Sequence, residues 1–265
     1  MSRHERRLAE REERPRGQRR RSGSPPPRSV PSIALITILA ALLGVGAIAA
    51  FQLTNGADGD PTSDAGATLL VPPPTIPSSV AVDGHEAGSP DAPVLVEVYG
   101  DFQCPVCARF AREYLGRLVA EFVVPGDVRL VDRSIAFLGR GDPDESEQAA
   151  IGAACAGAQG AYWPFHDLLL WNQAGENRGA FAPARLAAMA DKLGLDRAAW
   201  DACVADPAQL DEIRRATADA ATAGIDSTPT IIVDGQRIVG MPRTYDELAA
   251  IIRARLTTGT APATR

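Results

Sequence analysis

Two cysteines three positions apart, Cys104-Pro105-Val106-Cys107, stand where an apolar run gives way to a helical pattern. No other feature constrains the chain as much. Before the pair, Val94-Leu95-Val96-Glu97-Val98-Tyr99 reads as a strand, mostly apolar on both faces and so central in its sheet. Gly100-Asp101-Phe102-Gln103 makes a tight connection. A helix is then predicted from about Pro105 to Phe122, because Val106, Phe110, Tyr114, Leu118 and Phe122 recur at four-residue spacing and give one buried stripe. Cys104 falls at the N-cap of that helix, beside unpaired backbone N–H groups and the positive end of the helix dipole. Such a place stabilises a thiolate, and the thiolate is the nucleophile of disulfide exchange. Pro105 suits the first helical position, where no N–H is needed. Cys107 shares a helix face with Cys104 at a separation that suits a disulfide. The expectation is a reactive Cys104 sulfur lying exposed at the strand-to-helix junction.

The rest of the chain supplies an α/β pattern. Pro125-Gly126-Asp127 stops the helix, and Val128–Val131 is a second strand. Residues 142–205 are mostly helical and too long and periodic to be a loop. Asp206 caps a further helix with Pro207 at its first position, and Gly224 ends it. Pro229 precedes the strand Thr230–Val233. Asp234-Gly235 is a hairpin signal, and Arg237-Ile238-Val239 returns. Thr244 and Glu247 form a capping box for a last helix, to about Leu256.

Five segments are expected. Residues 1–32 are a basic, disordered tail, since ten Arg and four Glu fill the first 28 positions with almost nothing apolar to bury. Ile33–Leu53 is 21 residues without a charge, enough to span a bilayer as a helix. Residues 54–79 are a Pro-rich spacer, 80–256 one folded domain, and 257–265 a disordered end. The tail's surplus of six positive charges, in a chain of net −6, leaves −12 for the remainder. The positive-inside rule puts the tail in the cytoplasm and the acidic domain across the cell membrane, and argues against nucleic acid as a partner. The span reads as a retained anchor, although Ala47-Ile48-Ala49 would serve as a signal-peptide cleavage site. Four cysteines fit an extracytoplasmic location. They allow three pairings. Local geometry favours Cys104 with Cys107 and leaves Cys155 with Cys203. Zinc sites usually need a second cysteine pair or histidines at compact spacing; Cys155 and Cys203 are 48 residues apart and His166 stands alone, so no metal and no cofactor is assigned.

Tyr99-Gly100-Asp101-Phe102-Gln103-Cys104-Pro105-Val106-Cys107, preceded by Gly88-Ser89-Pro90-Asp91-Ala92-Pro93, resembles the DsbA-like branch of the thioredoxin superfamily. So do Gln159-Gly160-Ala161-Tyr162-Trp163-Pro164-Phe165-His166-Asp167, Leu193-Gly194-Leu195-Asp196 and Gly224-Ile225-Asp226-Ser227-Thr228-Pro229-Thr230. The resemblance covers roughly residues 80–256. It implies a thioredoxin fold with a helical insertion at about 142–205. It implies Cys104 as nucleophile and Cys107 as resolving cysteine, with Pro229 as a cis-proline and Thr228 presenting its backbone to an incoming chain. Family members with a second disulfide make Cys155–Cys203 a structural bridge, two free buried thiols being the alternative. The family commonly has a buried acid six positions before the first cysteine. Here that place is Val98, with Glu97 one earlier and, without a β-bulge, on the other face. His166, amid Tyr162, Trp163, Phe165 and Leu168, reads as a packed histidine, and His85 has no assigned role.

The resemblance also implies an oxidase of reduced exported proteins, recharged by a DsbB-like or VKOR-like membrane partner. A disulfide reductase or isomerase uses the same motif, and a redox-inert tethered binding module is the reading from another class. Val106 gives a thiolate neither charge nor hydrogen bond, and Asp101, if near, disfavours it. The expectation is a weaker oxidant than a relative with histidine between the cysteines.

Overall fold

The computed structural model describes residues 68–238 and 241–259. The basic tail, the apolar span 33–53, the start of the spacer, Val239 and the chain end from 260 lie outside the described residues. No helix among the described residues is long and apolar enough to cross a membrane.

A six-stranded sheet organises these residues, in the order β1-β2-β4-β3-β5-β6. Its strands are β1 (Val82–Asp83), β2 (Glu86–Ala87), β3 (Val94–Gly100), β4 (Val128–Ser134), β5 (Thr230–Val233) and β6 (Gln236–Ile238). β3 is central, parallel to β4 and antiparallel to β5, as its apolar residues required. The β5–β6 hairpin turns on Asp234 and Gly235, both at positive φ (48° and 74°), the conformation that Asp-Gly favours. Asp234 also pins the turn to the centre of the sheet: its carboxylate accepts from the Leu95 N–H at 2.8 Å. The two-residue strands β1 and β2 were not anticipated; they are too short for an alternation to show.

Helix α1 (Pro105–Phe110) continues through a π-helical stretch (Ala111–Leu115), α2 (Gly116–Leu118) and a second π-helical stretch (Val119–Val123). Of the expected stripe, Phe110, Tyr114, Leu118 and Phe122 are buried, but Val106 is 37% exposed. Val106 lies in the first turn, directly after Pro105 at the helix start. The insertion comprises α3 (Glu145–Gly157), α4 (Tyr162–Trp171), α5 (Pro183–Lys192) and α6 (Arg197–Val204). Phe165, Leu168, Leu169, Leu186 and Met189 are fully buried within it. Helix α7 (Pro207–Thr222) is capped by Asp206, whose carboxylate accepts from the Ala208 N–H, and α8 (Tyr245–Gly259) closes the described part. In the capping box before α8, Thr244 accepts from the Glu247 N–H, but the Glu247 carboxylate takes the Arg243 N–H in place of that of Thr244.

Residues 68–79, expected as a stand-off spacer, lie against the domain. Asn172 holds Leu70 by both its N–H and its carbonyl, the Asp167 carboxylate accepts the Thr75 N–H, and Ile76 is buried. Leu69 and Ile76 supply apolar area that an extended proline-rich segment can bury at small entropic cost.

Candidate active site

The β3–α1 connection brings the cysteines to the carboxyl end of the central strand. Cys104 is the N-cap of α1, in extended backbone (φ −71°, ψ 118°), and its Sγ accepts the Cys107 N–H at 3.4 Å. The sulfurs are not bonded to each other, so the site is in its dithiol state. On the far side stands the Thr228–Pro229 peptide, which is cis. Sγ of Cys104 lies 3.4 Å from the Thr228 carbonyl, to which the thiol form donates.

Sequence reasoning expected the Cys104 sulfur to be exposed. It is not: Cys104 is 4% exposed and Cys107 6%. The cis-proline loop covers Cys104 from one side. Across the connection, Gln173 donates to the carbonyls of Phe102 and Cys104 and holds the insertion against it. Access to the sulfur therefore runs past Thr228 and the exposed Val106.

The two thiols are electrostatically unequal. Cys104 is drawn down to about 6, first by a hydrogen bond from the Cys107 thiol. Burial opposes this, and a Thr228 side-chain contact and the N–H groups of Cys107 and Val106 at the helix start assist it. Cys107 is pushed well above the ordinary thiol value, first by donating that same bond, then by burial and by the Cys104 charge. One sulfur is thus ionised at neutral pH and the other holds its proton.

Asp101, buried, is the loop's fastener. Its carboxylate accepts from the N–H groups of Gln103, Phe137 and Leu138 and from the Ser146 hydroxyl, all at 2.7–2.9 Å. Burial raises its pKa and those donors oppose the rise. Gln103, also buried, donates to Ser146 and accepts the Asn177 N–H. Ser146, Gln173 and Asn177 went unrecognised because they reach the site from the insertion, 43 to 74 residues away in sequence.

Glu97 plays no part at the dithiol. The β3–β4 register is unbroken from Val94↔Val128 to Gly100↔Ser134, so no bulge turns Glu97 inward. It pairs with Arg133 at 2.9 Å on the other face, while Val98 points at the cysteines. The second cysteine pair lies apart: Cys155 in α3 and Cys203 in α6 are joined, with S–S 2.00 Å and Cα atoms 5.8 Å apart. His166 is buried among aromatic rings, with Nδ1 3.1 Å from Asp167 Oδ1.

A dithiol at a strand-to-helix junction, split into a thiolate and a thiol and faced by a cis-proline, is an arrangement suited to thiol–disulfide exchange. The chain belongs to the thioredoxin family: the family model described as Thioredoxin matches residues 81–254. Among solved structures, oxidised BdbD from Bacillus subtilis superposes with a TM-score of 0.60 at 22% identity, covering 69% of this chain and 98% of that one. This likeness carries the fold. The disulfide bond formation protein D of Bacillus subtilis is 25% identical over 181 residues, 64% of this chain and 75% of that protein. The Na(+)/H(+) antiporter NhaA 1 of Salinispora arenicola is 34% identical over 208 residues, 77% of this chain but 30% of that protein. This chain therefore spans less than a third of the antiporter's length.

Proposed function

We propose that this chain catalyses disulfide formation in exported proteins. The observation that carries the reading is the lowered Cys104 thiolate, at about 6, beside a Cys107 that stays protonated. Stabilising the thiolate stabilises the reduced enzyme, and a disulfide whose reduced form is stabilised oxidises other thiols. A substrate thiolate attacks Sγ of Cys104 in the disulfide form, a mixed disulfide forms, and Cys107 leaves with the electron pair. A second substrate thiolate then attacks the substrate sulfur of the mixed disulfide. The substrate departs oxidised, and Cys104 and Cys107 remain reduced.

Cys104 acts as nucleophile and Cys107 as resolving cysteine, with Thr228 and Pro229 receiving the substrate backbone beside the sulfur. The name of the Bacillus relative, a disulfide bond formation protein, supports the direction. The Cys155–Cys203 bridge and the basic tail before the apolar Ile33–Leu53 support a domain tethered outside the cytoplasm. A quinone-linked membrane protein of DsbB-like or VKOR-like type would return the site to its disulfide.

Equilibrating the Cys104–Cys107 pair against glutathione buffers tests this. A thiol near 6 lies between those of thioredoxin, at about 7, and of DsbA, at about 3.5. The expected potential accordingly falls between about −270 and −120 mV. A value at or below that of thioredoxin would make the chain a reductase. Absence of any mixed disulfide with exported proteins in a Cys107→Ser variant would leave only a binding role.

A further inference from the structure

We propose that Asp132, Ser134 and Tyr162 form the path by which Cys107 gains and loses its proton, joining the cavity behind that thiol to an open groove enclosed by β4, α3 and α7. The inference rests on disulfide exchange at Cys104 and Cys107.

The chemistry demands such a path. When the Cys104–Cys107 bond opens, Cys107 leaves as a thiolate in a buried place that favours the thiol. A proton must arrive at its Sγ, and in the reverse reaction the same proton must leave before Cys107 can attack the mixed disulfide. Val98 occupies the strand position nearest to this need and carries no proton.

The sheet register supplies a substitute. Val96↔Leu130, Val98↔Asp132 and Gly100↔Ser134 are parallel partners, and partners share a face. Val98, Gly100, Leu130, Asp132 and Ser134 accordingly line one cavity together with Cys107 and His166. The Asp132 carboxylate thus stands one strand over from Val98, at an inter-strand spacing of about 4.8 Å. The cavity holds about 20 Å³, room for one water, which needs two to four polar partners. Cys107, Asp132, Ser134 and His166 offer them.

From Asp132 the bonds continue. Tyr162 donates to its Oδ2 at 2.5 Å and Ser134 at 2.6 Å, and the two hydroxyls lie 2.9 Å apart. Asp132 and Ser134 line the second space as well, a groove of about 510 Å³, and Tyr162 lines that groove alone. Asp132 and Ser134 are the shared wall and Tyr162 its hydrogen-bonded extension on the groove side, and a hydrogen-bonded wall passes protons where an apolar one does not.

Other ionisable groups face this path. Asp101 lines the cavity, but its carboxylate is engaged by the four donors named above. Burial works against a charged His166, yet its hydrogen bond to Asp167 and the charges of Asp132 and Asp167 outweigh that and raise its pKa, so it can hold a proton beside the cavity. His85 packs edge-on to the Tyr162 ring. Arg133 of β4, with Glu212, Arg215 and Asp219 of α7, lines the groove and exchanges with solvent.

The test uses the full chain carrying Cys104 as a mixed disulfide with glutathione. Release of glutathione by Cys107 is followed from pH 5 to 9. Asp132→Asn is expected to slow release on the order of 100-fold at neutral pH and to move the midpoint of the pH profile upward. In the separately reduced variant, without the glutathione adduct, alkylation of Cys104 by iodoacetamide keeps its wild-type pH dependence. Tyr162→Phe, which keeps the ring and removes a hydroxyl of the wall, carries the same test where Asp132→Asn does not fold. Release at the wild-type rate, or equal slowing at every pH, would overturn the proposal, since either means that these side chains only fill space. Failure of Cys104 to form the glutathione adduct would instead defeat the exchange reading itself.

Discussion

The molecule carries two pairs of cysteines in helical surroundings, and they have opposite fates. Cys155 and Cys203 come from the last turns of α3 and α6, and their sulfurs are bonded to each other. Neither begins a helix. Cys104 begins α1, where N–H groups converge on its sulfur, and Cys107 lies one turn along with a proton to share. A thiol becomes a reagent or a staple according to whether the backbone around it solvates a thiolate. Burial alone does not decide it, since Cys104 and Cys155 are both buried.

Three changes would break or sharpen that contrast. The largest effect is on catalysis. Cys104→Ser is expected to reduce disulfide transfer to a reduced protein substrate to background, while Cys155→Ala with Cys203→Ala leaves the rate within about twofold. Renaturation assays on both variants check this; equal losses would erase the distinction. The second effect is on stability. Closing a loop whose ends are 48 positions apart constrains the unfolded chain by about 4 kcal/mol, so the Cys155/Cys203 double variant should lose up to that amount in denaturant unfolding. Removing Cys107 should cost far less, because its loop is only one helical turn.

The third effect is on protonation. The Cys107 thiol is the foremost cause of the low Cys104 value, so Cys107→Ala should raise the Cys104 midpoint by at least about one unit, equivalent to about 1.4 kcal/mol. Cys107→Ser, which keeps a donor, should fall between. The linkage has a definite sign. A thiol lowered by folding adds stability above its ordinary value and loses it as pH falls through about 6. The melting temperature of the reduced protein, taken relative to the oxidised one, should therefore drop from pH 8 to pH 5.

Much of this was legible beforehand because it is local. The apolar run Val94–Tyr99, the N-cap position of Cys104, the Asp206-Pro207 helix start and the Asp234-Gly235 turn each follow from a few neighbouring residues. What was missed depends on register and on distant segments. The second strand was read as ending at Val131, yet it runs on to Ser134 and carries Asp132 into the cavity behind Cys107. No periodicity marks a strand that ends in Asp-Arg-Ser. The burial of Cys104 was equally hidden, since Gln173 and the Thr228 loop reach it from 69 and 124 residues away. The docking of residues 68–79 depends on Asp167 and Asn172 of the insertion, which composition does not disclose.

The most direct measurement is a thiolate titration of the reduced protein, by absorbance at the thiolate band together with the rate of alkylation by iodoacetamide at each pH. The account predicts one thiolate appearing with a midpoint near 6, assigned to Cys104 by peptide mapping, while Cys107 stays protonated and unmodified well above neutrality. A midpoint in the ordinary thiol range, about 8.5, or alkylation of Cys107 ahead of Cys104, would contradict it.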